Sequence, residues 1–202
     1  MATDTAPPGT HITTTTLGPG GRSRGRGLIA DRDFQPGDLI ATFSDPILAL
    51  PDGPGMRITC NWCLTTGQDV QLRACTGCKA AVYCSPSCQR AHWKSGVHKA
   101  ECKMFARIRS TTGKEWLPTP SRAVAQILFL LRAGDDRTVK AFGKDGSLEG
   151  NVAGFKSDAD LWRDFELQAM ASIVYGGMVE SEEMLETAKE VLCKVSKRKD
   201  ER

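Results

Sequence analysis

The stretch "CTGCKAAVYCSPSCQRAHWKSGVHKAEC", from Cys75 to Cys102, holds five of the eight cysteines in the chain and two of its three histidines. A shorter stretch upstream, "CNWC" from Cys60 to Cys63, adds two more thiols. Seven cysteines therefore fall within residues 60–102: Cys60, Cys63, Cys75, Cys78, Cys84, Cys88 and Cys102. Their spacing is C-x2-C, C-x2-C, C-x3-C and then H-x3-C from His98 to Cys102. A C-x2-C turn aims two thiolates at one point, so each such pair is half of a tetrahedral zinc site. Four pairs make eight ligands, enough for two closed sites. Thiolate with imidazole is a donor set that suits zinc. A disulfide framework would leave an odd thiol. A thioredoxin-like redox pair has no use for the further ligands. Catalytic zinc keeps an open coordination position, which eight protein ligands do not leave.

Two histidines compete for the eighth place. His92 follows Cys88 by four residues and His98 precedes Cys102 by four. On a helix either pair shares one face. His98 is preferred, because Cys102 otherwise has no partner near it in sequence. His92 is then expected on the exposed side of a short helix that begins near Ser85. Trp93, on the same helix, is expected to plug the core of a small finger rather than to form a peptide-binding surface. Arg90, Lys94 and Lys99 are expected to form a solvated face rather than a contact face.

With 202 residues, the chain is long enough for one compact domain or two small ones. It is 40% hydrophobic and 25% charged, the balance of an ordinary globular protein, with a net charge of +3. A charge that small does not by itself call for a nucleic-acid partner. No run of 18 apolar residues occurs, so no membrane-spanning helix is expected. The opening "MATDTAPPGTHITTTT" has no basic region followed by an apolar one, so no secretory signal is expected either. The expected setting is intracellular and reducing, cytoplasmic and/or nuclear, where clustered cysteines hold metal.

Taken with its ligands, "YCSPSCQRAHWKSGVHKAEC" resembles the MYND zinc finger, a small two-zinc protein-interaction module. The resemblance covers residues 60–102 and implies interleaved binding. Cys60, Cys63, Cys84 and Cys88 would hold one zinc, and Cys75, Cys78, His98 and Cys102 the other. Protein partners through the finger are implied; direct nucleic-acid or membrane contact is not.

The flanks extend the resemblance. Upstream, "GRSRGRGLIADRDFQPGDLIATFSDPILAL" reads as a glycine-rich basic loop followed by strands at "GLIA", "LIATF" and "ILAL", with a turn at Pro36-Gly37. In company with the finger, this stretch resembles the opening of a SET domain in the SET-and-MYND family of protein-lysine methyltransferases. There, Arg24, Gly25 and Gly27 of "RGRGL" would face S-adenosylmethionine, with Arg26 where that family commonly has Asn. Downstream, Pro118 and Pro120 break the chain and Ser121 is expected to cap a helix striped by Val124, Ile127, Leu128 and Leu131, closed at Gly134. A polar loop over residues 135–150 follows. A second helix is expected from Asp158 to Tyr175, with Leu161, Phe165, Ala169 and Ile173 on one face. A third is expected from Ser181, striped by Met184, Leu185, Ala188, Val191, Leu192 and Val195. This part resembles the helical insert of fungal-type members of the family. In "LEGNV", Glu149 and Asn151 match that family's cofactor-side positions.

In that family an Asn-His-Ser-Cys segment, a Gly-Glu-Glu stretch and a catalytic tyrosine come later. The last histidine here is His98, and the tyrosines are Tyr83 and Tyr175. No catalytic residue is therefore assigned. The chain reads as a truncated family member acting in protein–protein interaction, with S-adenosylmethionine bound only alongside the missing core. The alternative is an active protein-lysine N-methyltransferase in a full-length form. The expected fold is α+β: a flexible N-terminus (1–19), a short antiparallel β unit (20–59), a two-zinc finger (60–102), a helical insert (103–195) and a charged tail (196–202).

Overall fold

The structure, a computed structural model, describes residues 6–14, 26–42, 46–68 and 70–196. The chain divides into two units, Met1–Pro46 and Ile47–Arg202.

The first unit contains an antiparallel ribbon. Strand β1 (Thr10–Thr14) pairs with β2 (Arg26–Ala30), in a register that sets Thr10 opposite Ala30 and Thr14 opposite Arg26. The "GLIA" strand is thus present, but its partner is "THITT", in the segment read as flexible. Its β-branched threonines and isoleucine suit a pleated strand, although the run lacks the apolar alternation that marks one from sequence. Strands do not form at the described part of "LIATF" or at "ILAL". The first follows a turn in which the Asp38 carboxylate accepts the Gln35 N–H at 2.9 Å. In the second, bracketed by Pro46 and Pro51, Ile47 and Leu48 pack onto the helical core of the second unit instead.

The second unit opens with a 3-10 turn (Pro54–Arg57) and a two-residue ladder of β3 (Arg73–Ala74) with β4 (Val82–Tyr83). Seven helices follow among the described residues: α1 (Pro86–Lys94), α2 (Val97–Thr112), α3 (Thr119–Arg132), α4 (Asp136–Phe142), α5 (Val152–Lys156), α6 (Ala159–Gly176) and α7 (Glu182–Val195). Side-chain caps fix several starts. Ser85 accepts from the Cys88 N–H at 3.2 Å, Asp158 from Leu161 at 3.1 Å and Ser181 from Met184 at 3.1 Å. Each cap stabilises its helix by ~1 kcal/mol.

The apolar stripes face inward as their spacing requires, except at Val195, the last residue of α7, which is exposed. Val124, Ile127, Leu128, Phe165, Ala169, Ile173, Ala188, Val191 and Leu192 are buried in one cluster where α3, α6 and α7 meet. Two details of the sequence reading change. Helix α3 starts before Ser121, at Thr119, because Pro120 sits in its first turn, where a missing N–H costs nothing. The polar loop over 135–150 contains α4, since Asp135 accepts the Thr138 N–H at 2.9 Å and caps a further turn.

Helix α2 links two parts of the core. Its first turns belong to the cysteine-rich region. Farther along, Met104, Phe105 and Ile108 join a second cluster with Met56, Tyr83, Leu117 and Ala125. Helix α2 also packs against α3 and α6.

Candidate metal centre

The two C-x2-C stretches fold alike. In each, the residue after the second cysteine turns into the left-handed region: Leu64 at φ 62° and Lys79 at φ 60°. Its N–H returns to the first cysteine's carbonyl, Leu64 to Cys60 at 3.0 Å and Lys79 to Cys75 at 2.9 Å. Left-handed backbone costs a non-glycine residue roughly 1–2 kcal/mol. Here the turn brings two thiols to a common point. Gly77 sits in a tight place: a Cβ at that position would lie 3.1 Å from the Cys102 sulfur, so a side chain there would press on a ligand by a few tenths of an ångström.

The thiols and one imidazole collect into two groups of four. Cys60, Cys63, Cys84 and Cys88 offer sulfur atoms that all lie within 4.8 Å of one another, and so do the ligand atoms of Cys75, Cys78, His98 and Cys102. Sulfur separations are 3.6 Å for Cys63–Cys84, 3.5 Å for Cys84–Cys88 and 4.0 Å for Cys75–Cys102. A tetrahedron of ~2.3 Å zinc–sulfur bonds has edges of about 3.8 Å, so the groups have the size zinc needs. Ligands from distant pairs interleave. The first knuckle joins the end of β4 and α1, and the second joins the first turns of α2.

Protonation makes the same demand. Burial pushes the Cys63 thiol up, but hydrogen bonds with Thr65 and neighbouring thiols outweigh it and bring it down to about 6. Cys75 also comes down to about 6, as His98 and the backbone at Cys78 and Gly77 outweigh burial. Cys84 is pushed up to about 12 by its hydrogen bonds with Cys88 and Cys63, and Cys102 to about 12 by burial and the charges of Cys78 and Cys75. Within each group some thiols ionise readily and hold their neighbours protonated. A dication removes the conflict and leaves all of them as thiolates. His98 is fully buried, and neither of its ring nitrogens has a hydrogen-bond partner among the described residues. A metal bond satisfies one of them. These two sites bind two zinc ions.

Residues 60–102 match the MYND finger family. The chain carries a MYND finger and is related to the SET-and-MYND proteins. Its relatives include histone-lysine N-methyltransferase ASHR1 of Arabidopsis thaliana, 33% identical over 48% of this chain and 19% of its own length. SET domain and MYND-type zinc finger protein 6 of Schizosaccharomyces pombe is 29% identical over 78% of this chain and 30% of its own length. N-lysine methyltransferase SMYD2 of Homo sapiens is 35% identical over 57% of this chain and 25% of its own length. The chain thus spans between 19% and 30% of the length of these relatives.

The MYND finger reverses two expectations on α1. His92 is buried, at 5% exposure, and Trp93 is 45% exposed. The cause is helical phase. Cys88 must point inward to its zinc, so His92, four residues on, points inward too, while Trp93 is turned ~100° away. His92 Nδ1 lies 3.1 Å from the Tyr83 hydroxyl, and burial pushes this imidazole down to about 4, so it stays neutral. Tyr83, not Trp93, is the large buried ring of the finger. Consequently His98→Ala is expected to release one zinc. His92→Ala should keep both, yet destabilise the protein by ~1–3 kcal/mol by leaving the Tyr83 hydroxyl unpaired. Metal analysis and denaturant titration of the two variants check this.

A buried polar network behind the second site was not legible from spacing. Arg122 on α3 donates to both Glu101 oxygens, Nε at 2.6 Å and Nη2 at 3.2 Å, and to Asn61 Oδ1 at 3.1 Å. Gln126 donates to Glu101 at 2.7 Å. Glu101 in turn faces His98 Nδ1 at 3.8 Å. Carboxylates in this position orient metal-bound imidazoles.

Arg24 and Gly25 lie outside the described residues. Gly27 sits on β2 opposite Thr13, in the first unit. Glu149 and Asn151 belong to the second unit and are exposed, and Asn151 caps α5 by accepting the Gly154 N–H at 3.0 Å.

Proposed function

We propose that this protein works as a protein-interaction module whose MYND finger binds partner proteins through a face bearing Trp62 and Trp93. One observation carries the reading: the zinc-organised finger holds two large indoles exposed, Trp62 at 43% and Trp93 at 45%. Both rest on buried histidines, Trp62 on His92 with ring centroids 5.5 Å apart and Trp93 on His98 at 5.9 Å. Rigid, half-exposed tryptophans lose little entropy on binding and are common binding hot spots. The reading is the same for a chain of this length and for a longer protein that contains it. Thiolate-rich zinc sites suit a reducing compartment, cytoplasmic and/or nuclear.

The test is affinity capture with the zinc-loaded protein and with a Trp62→Ala/Trp93→Ala variant that still carries two zinc ions. Partners that persist at equal yield on the variant would sink the reading.

A second reading rests on the relatives named as lysine methyltransferases. In a longer protein, Arg24, Gly25, Gly27, Glu149 and Asn151 would line one side of an S-adenosylmethionine site. Transfer of labelled methyl groups to lysine by the full-length gene product, reduced by Glu149→Ala, would support it. Transfer unaffected by that change would remove these residues from the site.

A further inference from the structure

A groove of about 510 Å³ opens between the start of α2, the end of α3 and the end of α6. Four cations line it, Lys99, Lys103, Arg107 and Arg132, and no carboxylate does. Its apolar lining includes Val97 and Phe129. Lys99, Lys103 and Arg132 are exposed, and no ion pair among the described residues includes them. Arg107 is half-buried and donates to the Tyr175 carbonyl at the end of α6, which fixes that corner of the groove. Helix α2 begins at the other end with Gly96 at φ 82° and no side-chain cap, so its first N–H groups add partial positive charge.

The spacing of the cations selects a ligand. Lys99, Lys103 and Arg107 stand four residues apart on α2, so they recur every ~6 Å along its axis. Alternate side chains of an extended peptide recur every ~6.6 Å. A strand-like segment laid along α2 therefore meets successive cations with every second side chain, while the residues between point away from α2, toward the side of the groove that carries Phe129 of α3. The volume falls within the ~300–1,000 Å³ of ordinary ligand sites. Nucleic acid fits less well. The chain's net charge is only +3, and the one aromatic ring that lines the groove, Phe129, is partly buried in the helical core, so no series of rings is offered for successive bases to stack on.

We infer that this groove binds an acidic peptide segment in extended conformation, with carboxylates at alternate positions against Lys99 and Lys103, flanked by Arg132, and apolar side chains between them. Neither Trp62 nor Trp93 lines it, so it is a second surface, independent of the indole face.

The experiment titrates zinc-loaded protein into a fluorescein-labelled hexapeptide alternating Leu and Glu and reads anisotropy. Saturable binding is expected, with a Kd of roughly tens to hundreds of micromolar. It should weaken as salt rises. Replacing every Glu of the peptide by Gln, or using the Lys99→Gln/Lys103→Gln/Arg132→Gln protein with its two zinc ions intact, should each weaken it at least about tenfold. The Trp62→Ala/Trp93→Ala protein should bind as the wild type does. That arm separates a failure of this site from a failure of the finger's indole face. Equal binding of the Gln peptide, an unchanged Kd for the triple variant, or tighter binding of a labelled single-stranded oligonucleotide would each overturn the inference.

Discussion

Stripping zinc with a strong chelator is expected to unfold the MYND finger while most of the helical signal survives. Structural zinc sites supply about 10–16 kcal/mol each in peptide systems, more than a small finger can replace. The described core of residues 60–102 is mostly ligands and their immediate neighbours, with Tyr83, Ala80 and Ala81 as filler. With the zinc removed, eight ligands and two left-handed turns lose what holds them together. The helices α3, α6 and α7 meet in a cluster whose only cysteine, Cys193, belongs to neither zinc group. Helix α2 is shared, since His98, Glu101 and Cys102 serve the metal side while Met104, Phe105 and Ile108 pack in a cluster that joins Cys60, Cys75, Cys78 and Tyr83 of the finger to Leu117 and Ala125 beyond it. Hydrogen exchange with and without chelator should therefore lose protection over residues 60–103 and keep it in α6 and α7. Metal analysis before chelation should give two zinc ions per chain. Equal loss of protection in α7, or one zinc per chain, would refute this account.

How much of this was legible beforehand differs by interaction range. Metal-ligand spacing and helical stripes are local patterns. The paired cysteines and the stripes of α6 and α7 could therefore be read directly, down to the helix starts at Asp158 and Ser181. The interleaving of the pairs came from the resemblance to MYND fingers and not from spacing, which leaves pair-to-pair assignment open. Trp93 was placed by its size and His92 by the choice of His98 as ligand, in both cases without fixing the phase of α1. Once Cys88 is set inward, both positions follow. Strand β1 was missed because a threonine run carries β propensity without an apolar stripe. Arg122 could not have been found. Its partners Asn61 and Glu101 are 61 and 21 residues away, and nothing near it in sequence marks an arginine as fully buried.

That arginine carries the second large effect. Arg122→Met is expected to destabilise the protein by about 3–5 kcal/mol, because it leaves Glu101 charged and buried without its counter-ion. Glu101 is fully buried, and although burial pushes its carboxyl up, the Arg122 charge and hydrogen bonds from Arg122 and Gln126 hold it well below the usual carboxylate range. A carboxyl lowered in the folded state contributes stability that is complete above its unfolded value and is lost as pH falls through and below it. In wild-type protein that loss starts near the ordinary value of 4.5. In Arg122→Met the contribution is largely gone at neutral pH, so its acid limb should be shallower. Replacing both charges, as Arg122→Met with Glu101→Leu, removes the orphaned group and should recover much of the stability, since well-packed apolar substitutes for a buried pair are often neutral. It should not recover the metal site. Glu101 faces His98 Nδ1, so every Glu101 substitution is expected to weaken zinc at Cys75, Cys78, His98 and Cys102 by ~10–100-fold. Cys60, Cys63, Cys84 and Cys88 take no ligand from α2 and should keep their zinc affinity. Competition with a chromogenic chelator resolves the two sites. Equal weakening of both, or of neither, would show that Glu101 serves packing alone.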